Sequence, residues 1–177
     1  MGPEDHNTLE YIFREFGSDD LFRILASKLR LRVIRPHPTD PRTSTSSENP
    51  PAGAGNLTRH VYSPPEILSS ALYTLINIAA GGSRHKSLLI AQPKLLDLIL
   101  PLLSHPEPSI RASCCWIVYN LAWNEDSSDL AGSRDRARKL VELGFFERVR
   151  KMSERDEDLN CKERARNAVQ VLQQGLR

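Results

Sequence analysis

The chain has 177 residues, 40% of them hydrophobic but only 6% aromatic, and its 26% charged residues nearly cancel to a formal net charge of +2. Such a balance gives no chain-wide polyelectrolyte character, so neither nucleic acid nor a membrane surface is expected as a partner. A Leu- and Ala-rich make-up without sustained alternation of β-branched residues points to an all-α fold, and the length suits one ordinary domain or roughly three to four helical repeats.

In chain order, residues 8–16 place Leu9, Ile12, Phe13 and Phe16 on one helical face, with Glu10, Arg14 and Glu15 opposite and Gly17 positioned to stop the helix. Ser18 is the expected cap of a second helix over residues 19–33. Asp19 and Asp20 favour its start, and Lys28, Arg30 and Arg32 its end, through the macrodipole. Residues 36–62 are rich in Pro, Ser, Thr and Gly and almost empty of large apolar side chains until Leu57, which predicts a disordered insert. The predicted organisation is a helical pair over residues 1–35, the insert over 36–62, and a continuous helical region over 63–177.

Within that region residues 65–79 read as a helix, closed by Gly81 and Gly82 in a left-handed turn. Residues 83–92 give a short helix, and 93–104 another, with Leu96, Ile99 and Leu102 or Leu103 buried and Pro101 ending its regular part. Residues 106–124 come next, then an acidic loop and a helix over 134–143 with Ala137, Leu140, Val141 and Leu143 as its apolar side. Residues 145–155 repeat the pattern of 93–104 through Phe146, Val149 and Met152. The last helix, 159–174, is more polar through Lys162, Glu163, Arg166, Gln170 and Gln173, as a terminal repeat needs when nothing stacks upon it.

The segment 106–124 organises the rest. On a wheel of about 100° per residue, Ser109, Ala112, Ser113, Asn120 and Trp123 gather around Trp116. Ile110, Cys114, Ile117, Val118 and Leu121 lie opposite, and Cys115, Tyr119 and Ala122 fill a third side. A helix apolar on two sides belongs in the middle of a stacked array, with its Trp and Asn side left for a ligand. The sequence also repeats: at a shift of about 43 residues PEILSSALYTLINIA lies over PSIRASCCWIVYNLA without a gap, and at about 51 a fainter third copy places Cys161, Ala165, Val169 and Leu172 over Ile110, Cys114, Val118 and Leu121. Helical periods of roughly 40 to 47 residues mark armadillo or HEAT solenoids.

The run SPPEILSSALYTLINIAAGG resembles the third helix of an armadillo repeat, whose aromatic-x-x-x-Asn pair is matched by Tyr73 with Asn77 and by Trp116 with Asn120. From Ser63 onward the chain is similar to armadillo repeats. The run WIVYNLAWNEDSS, followed by a basic helix ending ELGFFERV, resembles the last repeats of the armadillo subunit of GID/CTLH ubiquitin ligases. The resemblance implies a right-handed armadillo superhelix of about three repeats, interrupted by the insert at modest loop-closure cost. It further implies a non-catalytic scaffold whose concave third-helix groove holds a substrate-receptor segment near the RING-bearing core.

Candidate binding residues are Tyr73, Asn77, Ser109, Ser113, Trp116, Asn120 and Trp123. An aromatic and an Asn four residues apart lie side by side on one helix surface. The amide can hold a peptide bond through a donor and an acceptor, and the indole offers a wall for an aliphatic or cationic side chain. The structural alternatives are an inter-helix hydrogen bond for Asn77 and Asn120, core packing for Trp116 and cover for a turn at Trp123.

An importin-α-like carrier of basic import peptides is the second functional reading. It needs acidic residues beside the ladder, yet Trp116 is flanked by Ser109, Ala112, Ser113 and Ile117, with only Glu66 and the Glu125/Asp126 loop acidic nearby, so the scaffold is preferred. No nucleophile elbow, phosphate loop or isolated carboxylate pair points to an enzyme or a cofactor. Cys114, Cys115 and Cys161 fall inside predicted helices and the histidines are scattered, so neither a disulfide framework nor a metal site is expected. A missing signal-like or spanning segment points to an intracellular protein, and a cytoplasmic and nuclear location is expected alongside the resemblance. At the N-terminal end Leu9, Ile12, Phe13 and Phe16 form an apolar stripe with little to cover it, which predicts either preceding repeats or a partner there, and self-association without one.

Overall fold

A computed structural model describes residues 3–34, 59–124 and 127–177. The predicted disordered insert lies outside the described residues over 36–58, as does the acidic pair Glu125 and Asp126. The helices fall into three layers: α1 (Pro3–Phe16), α2 (Ser18–Leu29) and α3 (Pro65–Ala79); α4 (Ser83–Ile90), α5 (Pro93–Ile99) and α6 (Pro108–Ala122); α7 (Leu130–Glu142), α8 (Phe145–Arg155) and α9 (Leu159–Gly175). Corresponding helices stack on one another, α3 on α6 and α6 on α9, α2 on α5, and α4 on α7. The third helices begin at Pro65, Pro108 and Leu159, reproducing the offsets read from the sequence. This is an all-α armadillo-like solenoid.

Local chemistry sets the element ends. Proline opens α3, α5 and α6, where its missing N–H would have had no partner. Around Pro101 the α5 helix tightens into a 3-10 segment, Leu100–Ser104, and α4 meets this extended second helix at 82°. Gly17 and Gly144 stop their helices in the left-handed region, with φ of 71° and 87°. Gly81 and Gly82 do not: Gly82 has φ −60°, and glycine is required at 81 because a Cβ would meet the His85 ring at 2.9 Å.

The core runs through all three layers and is densest around α6, where Ile110, Cys114, Cys115, Ile117, Val118, Leu121 and Ala122 are buried. Against them pack Leu68, Leu72 and Leu75 of α3 and Ala165, Ala168 and Leu172 of α9. In α8 the buried aromatic is Phe145, with Phe146 only half-buried, the reverse of the predicted pattern.

Several boundaries differ from the sequence reading, since α1 begins at Pro3 and α7 at Leu130, each ahead of its predicted start. Helix α2 ends at Leu29, and Arg32–Ile34 instead forms a strand, β1, paired antiparallel with β2 (Arg59–Val61) in the register Arg32 opposite Val61 and Ile34 opposite Arg59. The predicted insert is thus shorter at its far end, since residues 59–61 belong to this ribbon. Two influences favour the switch: Val33 and Ile34 suit extended backbone, and Ser63 Oγ donates to the Lys28 carbonyl at 2.7 Å, satisfying one of the last carbonyls of α2.

The N-terminal stripe is also less open than predicted. Phe13 is buried between Phe22, 6.0 Å away edge to face, and the His85 ring at 5.4 Å, while Arg84 Nη1 donates to both Glu10 oxygens at 2.8 and 2.7 Å. Helix α1 therefore lies against α4 and covers Leu9 and Phe13 itself, leaving Phe16, Tyr11 and Ile24 exposed. Phe13→Ser should lower stability in urea by about 3 kcal/mol through the lost aromatic core, and Phe16→Ser should leave it within about 0.5 kcal/mol.

At the other end, Arg111 of α6 clamps the α8–α9 junction. Its Nε and Nη2 donate to Asp156 at 2.9 and 2.7 Å, and its Nη1 to the carbonyls of His105 and Pro106 at 2.9 Å. Asp156 also accepts from the Asp158 amide, and Asp158 caps α9 by accepting from Cys161 N at 2.8 Å. The Arg111 hydrogen bonds hold the Asp156 carboxyl below the usual carboxylate range. A carboxyl depressed on folding stabilises fully above its unfolded pKa and loses that contribution as pH falls through the folded value. Asp156→Asn should therefore cost about 3 kcal/mol at pH 7 by leaving Arg111 without its counterion. In an acid titration of unfolding, the gap between wild type and variant should close as pH falls.

Candidate functional site

The face left uncovered by the stack of third helices carries the residues singled out above. On α3, Tyr73 is 65% exposed, with Asn77 half-buried one turn later; at the equivalent positions of α6, Trp116 is 38% exposed and Asn120 half-buried. Ser109 and Ser113 lie on the same stripe of α6. Their hydroxyls are turned to local acceptors, Ser113 Oγ to the Ser109 carbonyl at 2.8 Å and Ser109 Oγ toward Glu107 at 3.4 Å. They therefore contribute room beside the indole more than free donors. Asn120 directs Nδ2 toward the Ile76 carbonyl at 3.5 Å, a long contact across the α3–α6 junction.

Three aromatic rings run along this side of α6. Trp116 meets Tyr119 edge to face at 5.5 Å, and Tyr119 stacks on Trp123 at 5.4 Å with 24° between planes. The indole of Trp116 is not bare: the Arg164 guanidinium of α9 sits over it, 4.5 Å from the ring centroid, while Arg164 Nε donates to Asn160 Oδ1 at 2.9 Å. The cation expected from a ligand is supplied here by the chain itself.

Trp123 ends α6 in extended conformation, and its carbonyl is gripped from two sides. Lys86 of α4 donates Nζ to it at 3.2 Å, and Arg136 of α7 approaches it with Nη2 at 3.5 Å. Arg136 also donates Nε to the Leu121 carbonyl at 2.7 Å and forms a two-point ion pair with Asp129 at 3.0 and 2.5 Å. Lys86 and Arg136 are 1% and 3% exposed, so buried cations meet the negative end of the α6 dipole and its last carbonyls. Beside Trp123 lies a partly open cleft of about 230 Å³ lined by Leu130, Val171, Gln174 and Asn124, whose buried Oδ1 has no hydrogen-bond partner among the described residues.

No family model matches the chain. It is 25% identical over 169 residues to armadillo repeat-containing protein 8 of Danio rerio, an alignment that covers 90% of this chain and 24% of that protein. It is 30% identical over 105 residues to the protein of the same name from Xenopus laevis, covering 59% of this chain and 14% of that protein. The chain is thus similar to armadillo-repeat proteins, in keeping with its armadillo-like fold. It spans about a quarter or less of the length of these relatives. A solved engineered protein covers 96% of this chain with a TM-score of 0.43 and 14% identity.

In armadillo terms, the structure sets Tyr73 with Asn77 and Trp116 with Asn120 at matching positions of successive third helices, and places Trp123 at the end of the second of them. The sequence reading missed Arg164, Lys86, Asp129 and Arg136. Arg164 replaces the small Ser113 in the faint third copy, one turn before the position equivalent to Trp116, and that exchange was the available signal. Asp129 and Arg136 are seven residues apart, about two helical turns, and so share a face of α7 and its lead-in. The cysteines are buried and free. Burial drives the Cys114 thiol well above its ordinary value and pushes Cys115 to about 12 and Cys161 to about 11, so they act as small core residues rather than nucleophiles.

Arg136→Met should destabilise by about 3 to 5 kcal/mol in urea, because the buried two-point ion pair with Asp129 is lost while the carboxylate stays in the interior. Adding Asp129→Leu should restore at least half of that loss if the pair, and not the shape of the site, carries the effect.

Proposed function

We propose that this chain is a non-catalytic scaffold subunit of a GID/CTLH-type ubiquitin ligase, holding a segment of a substrate receptor on the α3–α6–α9 face and keeping it near the RING-bearing core. The observation that carries this reading is the repetition of an aromatic and an Asn at matching, solvent-facing positions of α3 and α6, which suits an extended backbone laid across both helices. The similarity to armadillo repeat-containing protein 8 supports the choice of assembly. A cytoplasmic and nuclear location goes with it.

Recognition of basic import peptides is disfavoured by the site's own charge. Arg164 already occupies the face of Trp116, and among the described residues of α3 and α6 that flank the ladder, only Glu66 carries a carboxylate. A lysine- or arginine-rich ligand would meet a like charge there.

The deciding experiment is affinity purification of the intact chain with mass spectrometry of what it retains. Recovery of RING and receptor subunits is expected; recovery of import receptors in their place overturns the proposal. Trp116→Ala with Asn120→Ala should weaken receptor binding by at least about 2 kcal/mol while the melting temperature falls modestly. Leu121→Ala, on the buried side, should instead lower stability by about 2 to 5 kcal/mol. A Trp116/Asn120 variant that melts like Leu121→Ala and still binds would show the ladder to be packing.

A further inference from the structure

Helix α8, which contributes no residue to the aromatic ladder, separates its charges into two stripes. Arg150 engages both neighbouring carboxylates, Glu147 at 2.8 Å and Glu154 at 3.2 Å, although each is also within one turn of Lys151. Arg148, Lys151 and Arg155 fall on the adjoining stripe, all exposed. Among the described residues none of the three has a carboxylate within ion-pair distance, and Arg148 reaches only Ser104 Oγ at 3.4 Å. Other surface cations among the described residues also lack an ion pair, such as Lys94 and Arg134, but these three stand together within about two turns of one helix, whereas Arg23, Arg84, Arg138 and Lys139 are paired.

The stripe also has shape. It forms the ridge between two concavities, one of about 330 Å³ whose far wall is the 3-10 segment at Ser104 and His105, the other of about 500 Å³ beside Gly144. The lining of the first includes Asp156, whose charge is already matched by Arg111, and at its rim the exposed Glu157, so three cations there stand against one unmatched carboxylate. His105, packed against the Tyr62 ring at 5.5 Å, accepts the Glu107 amide at Nδ1, and burial holds its pKa below the ordinary value, so near neutral pH it adds an uncharged ring with its proton on Nε2.

Spacing selects the ligand. From Arg148 to Arg155 the helix rises about 10 Å, which is too long for one phosphate to span, whereas same-side residues of an extended chain recur about every 6.6 Å. We propose that Arg148, Lys151 and Arg155, with the clefts beside them, dock a short extended acidic segment of a protein partner through alternate carboxylates. A nucleic acid fits less well, because its unbroken run of phosphates would be pressed against Glu147 and Glu154 on the same helix, while neutral residues between the charges of a peptide avoid them. The site is separate from the ladder and does not depend on the scaffold reading.

The test is fluorescence anisotropy of the intact chain with a fluorescein-labelled heptapeptide of alternating glutamate and serine. Arg148→Gln with Lys151→Gln and Arg155→Gln should weaken binding at least tenfold. A control that removes the same charge from α7, Arg134→Gln with Arg138→Gln and Lys139→Gln, should change it less than twofold. Lys151→Glu alone, in protein that melts like wild type, should also weaken binding about tenfold, which separates recognition from folding. Absence of peptide binding, an equal loss in the α7 control, or tighter binding of a charge-matched single-stranded DNA would each overturn the proposal.

Discussion

The structure depends on one helix being buried on nearly every side. With α3 and α9 packed along its flanks, α6 keeps only a single stripe in water, and its last carbonyls fall in buried or part-buried ground. Unsatisfied carbonyls in such a place cost on the order of 1 to 3 kcal/mol each. Lys86 and Arg136 remove that cost by donating to the carbonyls of Leu121 and Trp123, and Asp129 offsets the charge that Arg136 brings into the interior. This explains why α4 and α7, polar by composition, are nonetheless anchored in the fold: each delivers a long cation to the negative end of the central helix.

The other end of α6 is held by the same logic with the signs arranged differently. Arg111 gathers the carbonyls of His105 and Pro106 and the Asp156 carboxylate, so one guanidinium joins the turn before α6 to the turn before α9. A helix clamped at both ends cannot slide against its neighbours by a turn. The exposed stripe between the clamps, from Ser109 to Trp123, is consequently presented in a fixed register to α3 and α9. Such rigidity is what a binding face needs if hydrogen-bonding groups are to meet a ligand without first losing conformational freedom.

The layers and their register were legible in the sequence because hydrophobic spacing repeats where helices stack: Ala71 and Cys114, Leu75 and Val118, and Ile78 and Leu121 are equivalent in both senses, and all are buried. What could not be read was set by contacts distant in sequence. The Ser63 hydroxyl that meets the end of α2 lies 35 residues away from Lys28, and the ribbon that follows α2 depends on residues beyond the insert. Likewise the basic residues of α7 looked alike in the sequence. Arg136 is buried and Arg138 is not, a distinction made by the carbonyls of another helix rather than by local spacing. The aromatic and Asn positions were found from their repetition, whereas Arg164 was missed because the third copy breaks the pattern at the very position that reaches across to Trp116.

That broken copy changes the chemistry of the proposed groove. A cation over an exposed indole is worth about 0.5 to 1 kcal/mol, and a ligand arginine that displaced Arg164 would gain no more than the chain gave up. Trp116 therefore cannot select basic ligands by cation–π contact, although the bare sequence motif suggests it. What remains for selection is the amide of Asn77 and of Asn120, the open ring of Tyr73, and the edge of Trp123 beside a cleft whose Asn124 acceptor has no donor among the described residues. A polypeptide backbone offers the donors and acceptors those amides require, and an N–H or O–H carried on an apolar side chain suits the cleft at Asn124. In the proposed groove, the α7–α9 layer, by placing its own arginine on the ladder, would shift recognition from ligand charge to ligand backbone and shape.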